Sequence, residues 1–230
     1  MDEAQTGFTL AEIWMHSGFI ARTVILMLVI MFVATIFVTI ERLLAFNRAR
    51  NQSVALAGAV VQHLQQGKVD AALKVCKDET FAASYLGALL RAGLGELTGG
   101  FDTASVKAAH RAIDKAEAEE GAKLQRFMTI LATVGSTAPF VGLFGTTFGV
   151  INAFQGMASA GSGLSSISAG ISEALITTGV GIGVAVVGVW MFNYFNARIA
   201  KVREELDSSV RDFVDWTEKQ FDERNRAAGK

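Results

Sequence analysis

Glu173 is the only Asp, Glu, Lys or Arg in the 71 residues from Phe127 to Ala197. Holding an ionised carboxylate in hydrocarbon costs about 3 kcal/mol or more, so this side chain must be neutral, paired, or turned toward water. Thr146, Thr147, Thr177 and Thr178 lie in the same stretch and can supply hydroxyls for a short wet path. A carboxylate set among hydroxyls can gain and lose a proton. A proton crossing 100 mV releases about 2.3 kcal/mol, which biases a moving element only if the two protonation states favour different packings. At the helical turn angle, Thr177 falls about 40° around the helix from Glu173 and Thr178 about 140° away, which assigns Thr178 to a different subunit contact.

Other chemistry is poorly supported. Glu173 could sit shallow at the outer end of its helix, wetted by headgroup water, or it could pair with a partner's basic group in a non-conducting structural scaffold. A sodium-driven variant would want more oxygen ligands than the threonines supply. An intramembrane enzyme lacks a base, since no His lies between 127 and 197, and Ser162 has no nucleophile-like setting. Cys76 is the single cysteine and His16, His63 and His110 have no metal-ligand spacing, so neither a disulfide, a metal site nor a cofactor is expected. A net charge of -1 gives no electrostatic reason to bind nucleic acid.

The elements that must position Glu173 are apolar and long. A bilayer core takes about 20 helical residues to cross, so the stretch holds two spans joined by a polar, Gly-rich link at 159–168. A third uncharged run, Thr23 to Ile40, is flanked by Arg22 and by Glu41-Arg42. Acidic residues Asp2, Glu3 and Glu12 precede it where a secretory leader would be basic, so it is expected to be retained. Thr9 to Glu12 reads as a capping box opening a short amphipathic helix. The second span places Gly135, Pro139, Gly142, Gly145 or Thr146, and Gly149 on roughly one face, and the third does the same with Thr177, Gly181 and Ala185. Small residues let helix backbones approach in lipid, which accounts for most of these glycines. Pro139 lacks the N–H that the Gly135 carbonyl would accept, which marks a candidate kink.

Of 21 Lys and Arg residues, twelve lie at 41–126 and eight at 198–230, one lies before 23 and none in the link. The positive-inside rule then puts the N-terminus outside and the C-terminus in the cytoplasm. The domain reading is an outer N-terminal segment at 1–22, transmembrane helices at 23–46, 127–156 and 169–197, a cytoplasmic helical insert at 47–126, an outer loop at 157–168, and a cytoplasmic C-terminal helix at 198–230. Within the insert, helical runs are predicted at 54–64, 69–76, 81–97 and 103–127, punctuated by Gly67, Gly93 and Gly99-Gly100, with the last run continuing unbroken into the second span. After the third span, Ile199, Val202, Leu206, Ser209, Phe213 and Trp216 form a coiled-coil-like seam that must be buried on the same chain or on another copy.

The run Ala138-Pro139-Phe140-Val141-Gly142-Leu143-Phe144-Gly145-Thr146 with Gly149, and the run Gly170-Ile171-Ser172-Glu173-Ala174-Leu175 with Thr178 and Gly181, resemble the ExbB/TolQ/MotA proton-channel family, closest to its ExbB/TolQ branch. Residues 67–73, Gly-Lys-Val-Asp-Ala-Ala-Leu, are similar to that family's weaker insert pattern. The resemblance implies an all-α integral membrane protein of the bacterial inner membrane, with three transmembrane helices and long cytoplasmic helical extensions. It implies a ring-forming homopentamer around two copies of an ExbD/TolR-like single-span partner, with Glu173, Thr146 and Thr178 lining the ion path. Such a stator subunit converts proton motive force into mechanical work on the cell envelope, through a TonB/TolA-like or a motility protein. Val187 departs from the family where relatives carry a third-span proline, and Thr147-Phe148 stands where they often show Val-Trp.

Overall fold

The structure, a computed structural model, describes residues 18–160 and 164–228. The capping-box reading at Thr9 to Glu12, and Ser162, lie outside those residues. Six α-helices follow in order: α1 Phe19–Gln65, α2 Val69–Cys76, α3 Tyr85–Leu97, α4 Thr103–Leu124, α5 Met128–Ala160 and α6 Leu164–Ala228, with a 3-10 turn at Glu79–Phe81. Among the described residues there is no strand. Three of these helices are long and apolar enough to cross a membrane, and the protein is an all-helical, multi-pass membrane protein.

Local chemistry explains where the helices stop. Gly67 takes the left-handed conformation at φ 65°, its N–H donates to Leu64 O at 3.0 Å and that of Lys68 to His63 O at 3.0 Å, closing α1 in a Schellman turn. Ser84 caps α3 by accepting from the Gly87 N–H at 2.9 Å, and Asp102 caps α4 by accepting from the Ser105 N–H at 2.7 Å. That Ser84 cap moves the start of the third insert helix from Phe81, which sits in the 3-10 turn, to Tyr85. The expected unbroken run from the insert into the second span is corrected as well. It stops at Leu124, turns through 125–127 with Phe127 at φ 65°, and restarts at Met128. At the expected loop 157–168, α5 runs on to Ala160 and α6 begins at Leu164.

The chain divides into two compact units. One comprises the chain up to Thr39 together with Phe127–Asn193; the other comprises Ile40–Arg126 and the chain from Tyr194 onward. In the first, α1, α5 and α6 share a small core of Val24, Leu28, Val134, Ala138, Val184 and Ala185. Large side chains there point outward, among them Phe37, Phe140, Leu175 and Trp190. In the second, the core is made of large side chains such as Leu56, Leu89, Leu94, Ile113, Phe195 and Leu206.

The C-terminal stripe of α6 is buried on its own chain. Phe195 stacks on Phe46 with ring centroids 5.9 Å apart, Trp216 Nε1 donates to Leu64 O at 3.1 Å, and Tyr85 OH donates to Glu205 at 2.8 Å. The buried positions are Ile199, Val202, Leu206, Val210, Phe213 and Thr217, so Val210 and Thr217 replace the expected Ser209 and Trp216. Thr217 Oγ1 donates to Val214 O at 2.7 Å, leaving a lone pair for the Nε2–H of His110 at 2.7 Å. Gly93 does not punctuate a helix. It lies inside α3, where an added Cβ would fall 2.5 Å from Phe213 Cζ, so the glycine exists to seat that ring.

Candidate functional site

The first unit packs α5 against α6 through backbone contact. An added Cβ on Gly135 would lie 3.2 Å from Val189 N, on Gly142 3.0 Å from Thr177 O, on Gly149 2.8 Å from Ala174 Cβ, and on Gly170 2.7 Å from Ala153 Cβ. Positions rise along α5 as they fall along α6, so the two helices run antiparallel. On Gly181 the same Cβ would meet Ala138 O at 2.8 Å, and on Gly145 it would meet Thr177 Oγ1 at 2.8 Å. Gly142, Gly145, Gly149 and Gly181 therefore hold the helix pair together, while Gly179 and Gly183 face open space. Gly170, Ala174 and Gly188 extend the seam; the sequence placed the first two in the family-like run without assigning them to the packing face and did not single out Gly188, although their four- and seven-residue spacing carried the same signal. Pro139 sits within α5 without ending it. One turn back, the Ser136 and Thr137 hydroxyls both donate to Thr133 O, at 3.1 and 2.7 Å.

On this seam the hydroxyls are sorted. Thr178 Oγ1 donates to Gly142 O at 3.1 Å and lies 3.4 Å from Thr146 Oγ1, which itself donates to Leu143 O at 2.8 Å. Thr178 thus meets α5 of its own chain, which corrects the expected assignment to another subunit. The turn angle describes one helix alone, and α5 crosses closely enough at Gly142 to meet both threonines. Thr177 is fully buried against Gly145 and returns its hydroxyl to Ala174 O at 2.7 Å. Thr147 is exposed on the other side of α5, bonded to Leu143 O at 3.0 Å, and does not join the group.

Glu173 lies one turn before Thr177 on α6. Its side chain is half-buried, and Oε1 is fully enclosed without a hydrogen-bond partner, the one such side-chain atom among the described residues. A buried carboxylate oxygen without a partner in its own chain is expensive. No hydroxyl of the Thr146–Thr178 pair reaches it within hydrogen-bond distance. Among the described residues, no group of His, Cys, Asp and Glu could hold a metal ion.

A family model described as the MotA/TolQ/ExbB proton channel family matches residues 82–208, more than half of the chain. The chain belongs to this family. The stretch matched by the MotA/TolQ/ExbB model takes in α3, α4, α5 and the Glu173 region of α6, and so includes the small-residue seam and its carboxylate. Among relatives, a biopolymer transport protein ExbB of Xanthomonas campestris pv. campestris is 39% identical over 107 residues, 46% of this chain and 42% of that protein. A Tol-Pal system protein TolQ of Pseudomonas aeruginosa is 43% identical over 89 residues, 38% of each chain. A TolQ of Haemophilus influenzae is 30% identical over 112 residues, 48% of this chain and 49% of that one. The chain spans under half the length of these relatives.

Proposed function

We propose that this chain is the proton-conducting stator subunit of an inner-membrane motor that turns proton motive force into mechanical work on the cell envelope. The observation that carries the reading is the enclosed, unpartnered Oε1 of Glu173, set one turn from Thr177 on a helix whose next residue, Thr178, reaches Thr146. Each is a group that a proton can visit, at a helix crossing lined by glycine and alanine. Family membership and the ExbB and TolQ relatives support the same assignment.

In this reading Glu173 exchanges protons with the membrane carboxylate of an ExbD/TolR-like single-span partner, two copies of which stand inside a homopentamer. Thr146, Thr177 and Thr178 line the path, and Pro139 with the glycines sets the spacing of its walls. The N-terminus lies outside and the C-terminus in the cytoplasm, as the distribution of Lys and Arg implies. The ExbB names of some relatives point to biopolymer uptake and the TolQ names to a Tol-Pal-like system, and the identity of the partner decides between them.

The test is Glu173→Gln, expressed with its partner and reconstituted into vesicles carrying a pH-sensitive dye. Assembly should be retained and proton flux under an imposed potential should fall to background. A non-conducting scaffold would show no flux in either protein. Wild-type flux in the Gln variant would remove Glu173 from the path. Thr178→Val should slow flux without changing assembly, since it deletes the hydroxyl contact to Thr146 and keeps the shape.

A further inference from the structure

The second unit carries two grooves of opposite charge along one stretch of α6. The groove between α4 and α6 is lined by Asp114, Glu117, Glu204 and Asp207, with Arg203 as its one cation. The groove between α1 and α6 is lined by Arg50, Arg198 and Lys201, with Glu205 as its one acid. Glu205 is already engaged by Tyr85 OH, and Asp207 pairs with Arg211 four residues on. Arg198 is held by Asn47 Oδ1 at 3.4 Å and lies over the Tyr194 ring. Each side gathers mostly like charges, of which Asp114, Glu117 and Glu204 on one and Arg50 and Lys201 on the other make no ion pair among those described.

Helix geometry places these two sides on either flank of the buried seam. Taking about 100° per residue, Arg198 and Lys201 centre roughly 105° to one side of the Ile199, Val202 and Leu206 stripe, and Glu204 and Asp207 roughly 135° to the other. Along the axis the two charged groups are offset by about 9 Å, between one and two turns. A two-fold pairing through either groove would set like charges face to face. A head-to-tail pairing would set acid against base within two helical turns of each other, a gap that long Lys, Arg and Glu side chains span, and would leave a free groove of each kind for the next copy.

We propose that copies of this chain pack side by side in a head-to-tail sense, the acidic α4/α6 groove of one receiving the basic α1/α6 groove of the next. The proposal deepens the reading of the chain as a ring-forming subunit and rests on it. It adds which surfaces meet and which charges select the direction of packing.

The test uses the full-length protein in membranes of its own cells, with Ala118→Cys beside the acidic groove, Asn47→Cys beside the basic one, and a short bismaleimide cross-linker. The chain carrying both cysteines should give a ladder running past the dimer, and each single variant should give none. Adding Glu117→Lys and Glu204→Lys should lower the ladder about tenfold, and adding Arg50→Glu and Lys201→Glu to that same chain should restore it, because both faces are then reversed together. Restoration also shows that the reversed chain folds. Strong self-cross-linking by either single variant, or a ladder indifferent to charge reversal, would overturn the proposal, as would the absence of any ladder in the double-cysteine chain. Proton flux is read separately, so a chain that ladders without conducting would sink the channel reading and leave this one standing.

Discussion

The two units are built from parts of the same helices under opposite packing rules. Among the described residues through Thr39 and between Phe127 and Asn193, α5 and α6 meet through small residues and many large apolar side chains face outward, with Leu28 and Leu131 among the large ones buried; from Ile40 to Arg126, and from Tyr194 onward, the core is mostly large apolar side chains and charges face outward. Helices α1 and α6 change rule along their own length. Lipid gives no reward for hiding leucine, so backbones approach through glycine, whereas water rewards the burial of every ring and branched chain. Which side chain occupies the inside of a helix pair here is dictated by the surrounding solvent, without any change of secondary structure.

That contrast can be broken first in the water-facing unit. Phe213→Ala removes the ring that fills the space over Gly93 and should cost about 3 to 5 kcal/mol in chemical unfolding of the purified protein. Gly93→Ala should also destabilise, and combining it with Phe213→Leu should recover part of the loss by taking away the clashing ring atoms. In the other unit the equivalent injury is an addition. Gly181→Leu drives a side chain into the Ala138 carbonyl and should cost about 3 kcal/mol, read as a lower unfolding temperature in detergent. Gly183→Leu, which meets open space, should leave that temperature nearly unchanged; an equal fall in both would refute the seam.

Smaller effects sharpen the same contrast. Ser84→Ala deletes the α3 cap and the 3.0 Å contact to the buried Ser53 hydroxyl, so a loss of about 1 to 2 kcal/mol is expected. The smallest effect is one of pH. Hydrogen bonds from Ser105 hold the Asp102 carboxyl below its ordinary 3.8, so its contribution to folding is complete above about pH 4 to 5 and is lost as pH falls through the folded value. Asp102→Asn should flatten the acid limb of a stability-against-pH curve and leave neutral stability little changed.

Much of this organisation was legible from residue types. A lone Glu173 among uncharged residues and glycines at helical spacing gave the membrane pair, and the periodic apolar positions gave the insert helices. What escaped depends on crossing partners. Nothing in the 103–127 run announces that Phe127 will adopt a positive φ, because β-branched and aromatic residues seldom do. The α6 seam drifted from Ser209 and Trp216 to Val210 and Thr217 because a straight helix of 3.6 residues per turn slips against a strict heptad. Thr178 was assigned outward because the sequence gives angles around one helix, whereas the Gly142 contact depends on how closely a second helix approaches.

The Thr178–Thr146 pair also has a direction. Thr178 has a single proton to divide between Gly142 O and Thr146 Oγ1, and Thr146 spends its own on Leu143 O. A backbone carbonyl cannot hand a proton onward, so as arranged the pair is a wire that ends in an insulator. To conduct, Thr146 must swing its hydroxyl away from Leu143 and offer it elsewhere, a side-chain rotation of the picosecond-to-nanosecond class. In the proposed proton path the pair would act as a turnstile: each passage would leave both hydroxyls pointing the other way, and they would have to turn back before the next proton could follow.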